Sequence, residues 1–123
     1  MQFTCEKAAF CEAVSSVSPA VSQKSTLLAL ECILLRCKGN LLSVIGYNLE
    51  MGITKEMEVE GQEDGDIILN ARLLSDIITK MPNGTITLQT DPRLLTVIKG
   101  GGAQFTILGM SAEEYPELPV IDR

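Results

Sequence analysis

At 123 residues and 46% hydrophobic content, the chain has the length of one domain and enough apolar mass for a core; with no Trp and 4% aromatics, that core must be Leu, Ile and Val. A net charge of −6 excludes a uniformly basic nucleic-acid binder, although total charge does not say which face carries which sign. Met1-Gln2-Phe3-Thr4-Cys5-Glu6-Lys7 lacks a basic segment followed by an apolar run, and no apolar stretch nears the roughly 18 residues that span a bilayer, so neither a secretory signal nor a membrane partner is expected.

Gln2 to Cys5 is a short strand with Phe3 and Cys5 on one face. A helix is predicted from about Glu6 to Val21, because Phe10, Ala13, Val14 and Val17 form an i, i+3, i+4, i+7 stripe, and Pro19 implies an irregular end or a second short turn. Ser22-Gln23-Lys24-Ser25 is polar and unpatterned, a loop. Strands follow at Leu30 to Cys37, Leu41 to Tyr47 and Met51 to Val59, the first two joined by Lys38-Gly39-Asn40. In the third, Ile53, Lys55, Met57 and Val59 alternate with Thr54, Glu56 and Glu58. Glu60 to Gly65 is an acidic link. Ile67 to Leu69 restarts the pattern, and Asn70 is placed to cap a helix that runs to about Met81. Pro82-Asn83-Gly84 ends that helix. Thr85 to Thr90, Leu94 to Ile98 and Gln104 to Leu108 are strands, with Asp91-Pro92 and Gly100-Gly101-Gly102 as turns.

The two halves are one pattern written twice. Shifted by 64, Phe3 falls on Ile67, Cys5 on Leu69, Phe10 on Leu74, Ala13 on Ile77, Val14 on Ile78 and Val17 on Met81. Shifted by 53, Leu41 to Ile45 falls on Leu94 to Ile98. Each half is strand, helix and three strands, so the fold class expected is α+β: a duplicated β-α-β-β-β unit with two helices packed on antiparallel sheets. Residues 1–110 form the domain (repeats at about 1–60 and 66–110), and 111–123, acidic and proline-bearing, read as a linker toward a further domain.

Catalytic chemistry is not visible. The cysteines, Cys5, Cys11, Cys32 and Cys37, form no C-x-x-C pair, and no His completes a metal site, so they read as reduced thiols packed as small hydrophobes in a cytosolic protein. Gly100-Gly101-Gly102 lacks the Lys-Ser/Thr and following helix of a phosphate-cradling loop. The carboxylates show no acid–base spacing. No catalytic residue, metal or cofactor is expected.

Several segments, in order and at matching spacing, carry a resemblance. They are Met1-Gln2-Phe3-Thr4-Cys5, Lys24-Ser25-Thr26-Leu27, Gly46-Tyr47-Asn48-Leu49-Glu50, Asn70-Ala71-Arg72, Phe105 and Tyr115-Pro116. With the internal duplication, they make the chain resemble the first domain of the bacterial DNA polymerase III beta subunits, the sliding clamps. The resemblance implies the DNA-clamp fold and a non-enzymatic role in the bacterial cytoplasm. It implies a ring of two head-to-tail subunits, helices lining the hole, that holds double-stranded DNA independently of sequence and makes the replicative polymerase processive. Polymerase and clamp loader would bind mainly through domains absent here.

By the same resemblance, Lys24 and Arg72 are expected to contact DNA, with Lys7 and Lys80 as weaker candidates on the helices' polar faces, where Glu12 and Asp76 oppose DNA locally. Phe105 is expected in the ring interface, joined by Ile107 and Ile77, although Gly101 to Gln104 supply none of the basic residues that the family often places beside this aromatic. The weak basic signal keeps open a second reading, a clamp-like protein-interaction module with no DNA role.

Overall fold

The computed structural model describes residues 1–22 and 27–116. Its α+β architecture is two helices on two antiparallel sheets, built from nine strands among the described residues. In chain order these are β1 (Gln2–Glu6), α1 (Lys7–Val17), β2 (Cys32–Lys38), β3 (Leu41–Tyr47), β4 (Gly52–Glu58), β5 (Glu60–Glu63), β6 (Gly65–Asn70), α2 (Ala71–Lys80), β7 (Thr85–Thr90), β8 (Leu95–Gly100) and β9 (Ala103–Leu108). Helix α1 stops at Val17, not Val21, because Pro19 sits in a separate 3-10 turn, Ser18–Ala20. A second 3-10 turn, Leu28–Glu31, delays β2 to Cys32. Asn70 caps α2 as expected: its Oδ1 accepts the Leu73 N–H at 2.9 Å.

The sheets run β5-β1-β7-β8-β9 and β4-β3-β2-β6. Each half therefore gives its first strand to the other half's sheet: β1 pairs with β7, and β6 with β2. The exchange interlocks the repeats, so neither can close its core alone. All twelve residues matched by the shift of 64 are buried, and all belong to one core shared by both helices and the inner faces of both sheets. Truncating Phe10 or Leu74, both fully buried, to Ala would cost about 2–5 kcal/mol.

The shift of 53 is one residue short for the β3–β8 match. Leu35 faces Val44 across the β2–β3 ladder, and Leu88 faces Ile98 across β7–β8, so Val44 and Ile98 are the equivalent residues, 54 apart. Side chains alternate along a strand, and a one-residue slip exchanges the faces. Leu42 and Val44 are accordingly in the core, whereas Leu95 is exposed. The extra residue lies in the turn before β8, where Leu94 takes a φ of 70°.

The acidic link also folds. Glu60–Glu63 has no strand-like alternation, yet β1 offers a free edge and β5 pairs with it, with a bulge between Gln2 and Phe3. The Met1 ammonium donates to Glu63 Oε1 at 2.8 Å across this pair. Gly46 is required where β3 meets the end of α1: a Cβ there would lie 2.4 Å from the Val17 carbonyl oxygen.

The sheet β4-β3-β2-β6 is apolar on both faces. Cys32, Leu34, Ile45, Tyr47 and Ile68 point away from the main core into a second cluster with Ala29, Leu30 and Tyr115. Residues 111–116, the described part of the segment 111–123 expected to be linker, close it together with Met110, and residues 117–123 lie outside the described residues. Met110 and Ile68 exchange backbone hydrogen bonds at 2.9 and 3.1 Å, and Ser111 caps a 3-10 turn, Ala112–Glu114. Tyr115 is 8% exposed, its ring 6.4 Å from that of Tyr47. Glu113 and Glu114 stay in solvent.

Candidate nucleic-acid interface

The two helices lie side by side and antiparallel. At one end, Lys7 in the first turn of α1 donates from Nζ to the Met81 carbonyl at 2.6 Å and the Thr79 carbonyl at 3.4 Å, at the end of α2. At the other, the residues following α1 and the first turns of α2 border one open groove of about 510 Å³, Ser18 and Val21 on one side, Arg72 and Asp76 on the other.

The apolar stripes face the core, so the opposite faces are left to solvent: Ala8, Ala9, Glu12, Ser15 and Ser16 on α1; Arg72, Leu73, Asp76, Thr79 and Lys80 on α2. Arg72 is exposed in the first turn of α2 and forms no ion pair among the described residues. Lys80 is exposed in the last turn, where its charge suits the helix's negative end. Lys7 is half-buried and held by the α2 carbonyls, so its donors are engaged as a cap. Lys24 lies outside the described residues. The exposed charges of the helical face are thus two cations, Arg72 and Lys80, and two anions, Glu12 and Asp76.

The strands carry a different balance. Glu56, Glu58, Glu60, Glu63, Asp64 and Asp66 are all exposed, against the exposed strand cations Arg36, Lys38, Lys55 and Lys99. Glu56 and Glu58 alternate with Ile53 and Met57, which pack on the core, so they point away from the helices. Asp66 lies 3.7 Å from Arg36, on the sheet face that carries Ile68 and Leu34, again away from the helices.

Phe105 is half-buried against the main core on β9, the free edge of its sheet. Ile77 and Ile107 are buried at 5% and 8% within this chain's own core. Of the three residues proposed for an interface, Phe105 alone keeps substantial open surface. On the opposite face of the same two strands the cross-strand pair Leu95 and Leu108 is exposed, Leu108 to 71%.

Burial pushes the Cys5 thiol up to about 12, aided by Glu6, and the Cys32 thiol up to about 11, aided by Glu31; Cys37 is raised by burial and then by Asp64. None of these three is a thiolate near neutral pH, so none is a ready nucleophile. No helix among the described residues is long and apolar enough to cross a membrane, which says nothing of β-barrels.

Residues 1–119 match the family described as DNA polymerase III beta subunit, N-terminal domain. The chain is 32% identical to the beta sliding clamp of Bacillus subtilis and 33% identical to that of a Synechocystis species; each alignment covers 99% of this chain, and 34% and 33% of the relative. The crystal structure of the Bacillus subtilis DNA polymerase sliding clamp superposes with a TM-score of 0.95 at 32% identity, covering 99% of this chain and 34% of that one. The chain thus spans about a third of the length of the curated relatives it matches. Pattern, fold and comparison agree: the chain belongs to the DNA polymerase III beta subunit N-terminal domain family.

Proposed function

We propose that this chain is the first domain of a sliding clamp: a non-enzymatic ring of two head-to-tail subunits that encircles duplex DNA in the bacterial cytoplasm and makes the replicative polymerase processive. Polymerase and clamp loader would engage parts of the protein outside these residues.

The observation that carries this reading is the difference in charge balance between the layers, net acidic on the strands and even on the helices. Among the described residues, the exposed carboxylates of residues 56–66 outnumber the exposed strand cations Arg36, Lys38, Lys55 and Lys99, whereas on the antiparallel helix pair Arg72 and Lys80 match Glu12 and Asp76 one for one. A sliding ring needs weak, sequence-independent attraction on the surface that meets phosphates and repulsion elsewhere. A base contact worth about 1–3 kcal/mol would trap it on the duplex. Two cations balanced by two anions give a shallow electrostatic hold, and topology retains the DNA. The free edges suit a ring as well. Phe105 opposes Ile98 as Lys55 opposes Val44, so the pseudo-equivalent edges β9 and β4 differ in chemistry. Unlike edges favour head-to-tail contact over a self-complementary one.

The test is duplex association of the full-length protein as a function of salt. Arg72→Ala should weaken binding equally on unrelated sequences and lower the log–log salt slope by about one unit for the lost phosphate contact. An unchanged slope and affinity would remove Arg72 from the interface. Complete absence of salt-dependent association in the unmodified protein would favour a clamp-like interaction module.

A further inference from the structure

We propose that Asp76 and Glu31 set the strength with which Arg72 holds a backbone phosphate, acting as built-in competitors that keep the contact weak enough for sliding. The proposal rests on the reading that the helical face meets duplex DNA.

Arg72 and Asp76 are four residues apart on α2, so both project from one face on successive turns. Both are exposed, yet they form no ion pair within 4 Å, and Asp76 has no other cationic partner among the described residues. Helix stability does not account for Asp76, because an acid placed four residues after a base is the less favourable order. Nor is it a helix cap, since Asn70 holds that position. Glu31 comes from a distant element, the 3-10 turn before β2, and borders the same groove as Arg72 and Asp76. The described charges at the groove are therefore one guanidinium and two carboxylates. A phosphate approaching Arg72 gains one attraction and meets two repulsions, so the hold is shallow and readily exchanged for the next phosphate. Without the carboxylates, Arg72 would grip harder and each step along the duplex would meet a higher barrier.

The experiment compares full-length Arg72→Ala, Asp76→Asn, Glu31→Gln and Arg72→Ala/Asp76→Asn proteins on duplex DNA between about 50 and 200 mM salt. Affinity is paired with the one-dimensional diffusion coefficient of single molecules on stretched DNA. Asp76→Asn should tighten association by about two- to five-fold at the lowest salt, the range of a single screened surface charge. It should also slow diffusion. Because the effect runs through Arg72, the gain should shrink in the Arg72→Ala background, a coupling that general electrostatics alone would not produce. Glu31→Gln should act in the same direction. Loss of binding in Arg72→Ala with unchanged affinity and diffusion in Asp76→Asn would overturn the attenuation while leaving the duplex reading intact. No effect of Arg72→Ala would overturn the Arg72 contact and this proposal together. Asp76 is exposed, and unchanged unfolding midpoints would separate these effects from misfolding.

Discussion

Truncating Tyr115 tests whether residues 110–116 are part of the folded domain. The side chain is 8% exposed and closes a cluster of eight buried residues on the outer face of β2, β3 and β6. Removing a buried aromatic costs about 3–5 kcal/mol in a core that cannot collapse. Two features lower that figure here. The cluster lies at the margin of the domain, and the Tyr115 hydroxyl is buried with no well-formed hydrogen bond among the described residues, a penalty of about 1 kcal/mol that the substitution removes. Tyr115→Ala is therefore expected to destabilise the chain by about 2–3 kcal/mol, close to a 10 °C fall in Tm for a domain of this size. Tyr115→Phe keeps the ring and deletes the unpaired oxygen, so it should be neutral or stabilising by up to about 1 kcal/mol. Thermal and urea unfolding would measure both. Tyr47 and Tyr115 are the only tyrosines and Trp is absent, so near-ultraviolet circular dichroism reports on this cluster directly. A Tyr115→Ala chain with the parent's midpoint and near-ultraviolet spectrum would refute the packing argument and return the segment to the status of a free linker.

Cys5 and Tyr115 hold their protons to about 12 through burial, against ordinary values of 9.0 and 10.0, so the unfolded chain loses these protons first; stability should be full below about pH 9 and fall as pH rises toward 12, and a flat urea midpoint from pH 9 to 11 would count against it. Alkylation of the native chain at pH 8 should reach half-buried Cys11 before buried Cys5, Cys32 and Cys37, as peptide mapping would show. Lys7→Met should cost about 1 kcal/mol by uncapping the end of α2 while leaving the DNA salt slope of the full-length protein intact; a lowered slope would make Lys7 a phosphate contact instead. Phe105→Ala should move the full-length dimer toward monomer by about 2 kcal/mol or more in sedimentation, and wild-type dissociation would assign the ring to this domain's own core.

Local rules determined much of this protein from sequence. The i, i+3, i+4, i+7 stripe gave α1 its buried face, Asn70 marked the start of α2, and glycine- and proline-bearing turns separated the strands, because each signal acts within a few residues of backbone. The duplication was legible for the same reason: apolar spacing survives when identities do not. Fold class followed from those features, whereas the family, and with it Arg72 and Phe105 as site candidates, came from the resemblance carried by the ordered segments. Tertiary structure decided everything that depends on which distant strands meet. Exchange of β1 and β6 between the halves left no trace in local patterning, since either partner would satisfy the same alternation. The Glu60–Glu63 segment became a strand only because β1 presented an unpaired edge to it. The equivalence of Val44 with Ile98 needed the ladders, because a one-residue turn insertion is invisible in hydrophobicity yet exchanges every face of β8. Lys7 looked like a solvent-facing cation until the end of α2 was placed against it, and Tyr115 looked like linker until the outer face of β2 supplied something to cover. Charge followed the same division: sequence counted carboxylates and cations, and only the packing of helices against sheets gave each layer its own balance and placed Glu31 and Asp76 at the same groove as Arg72.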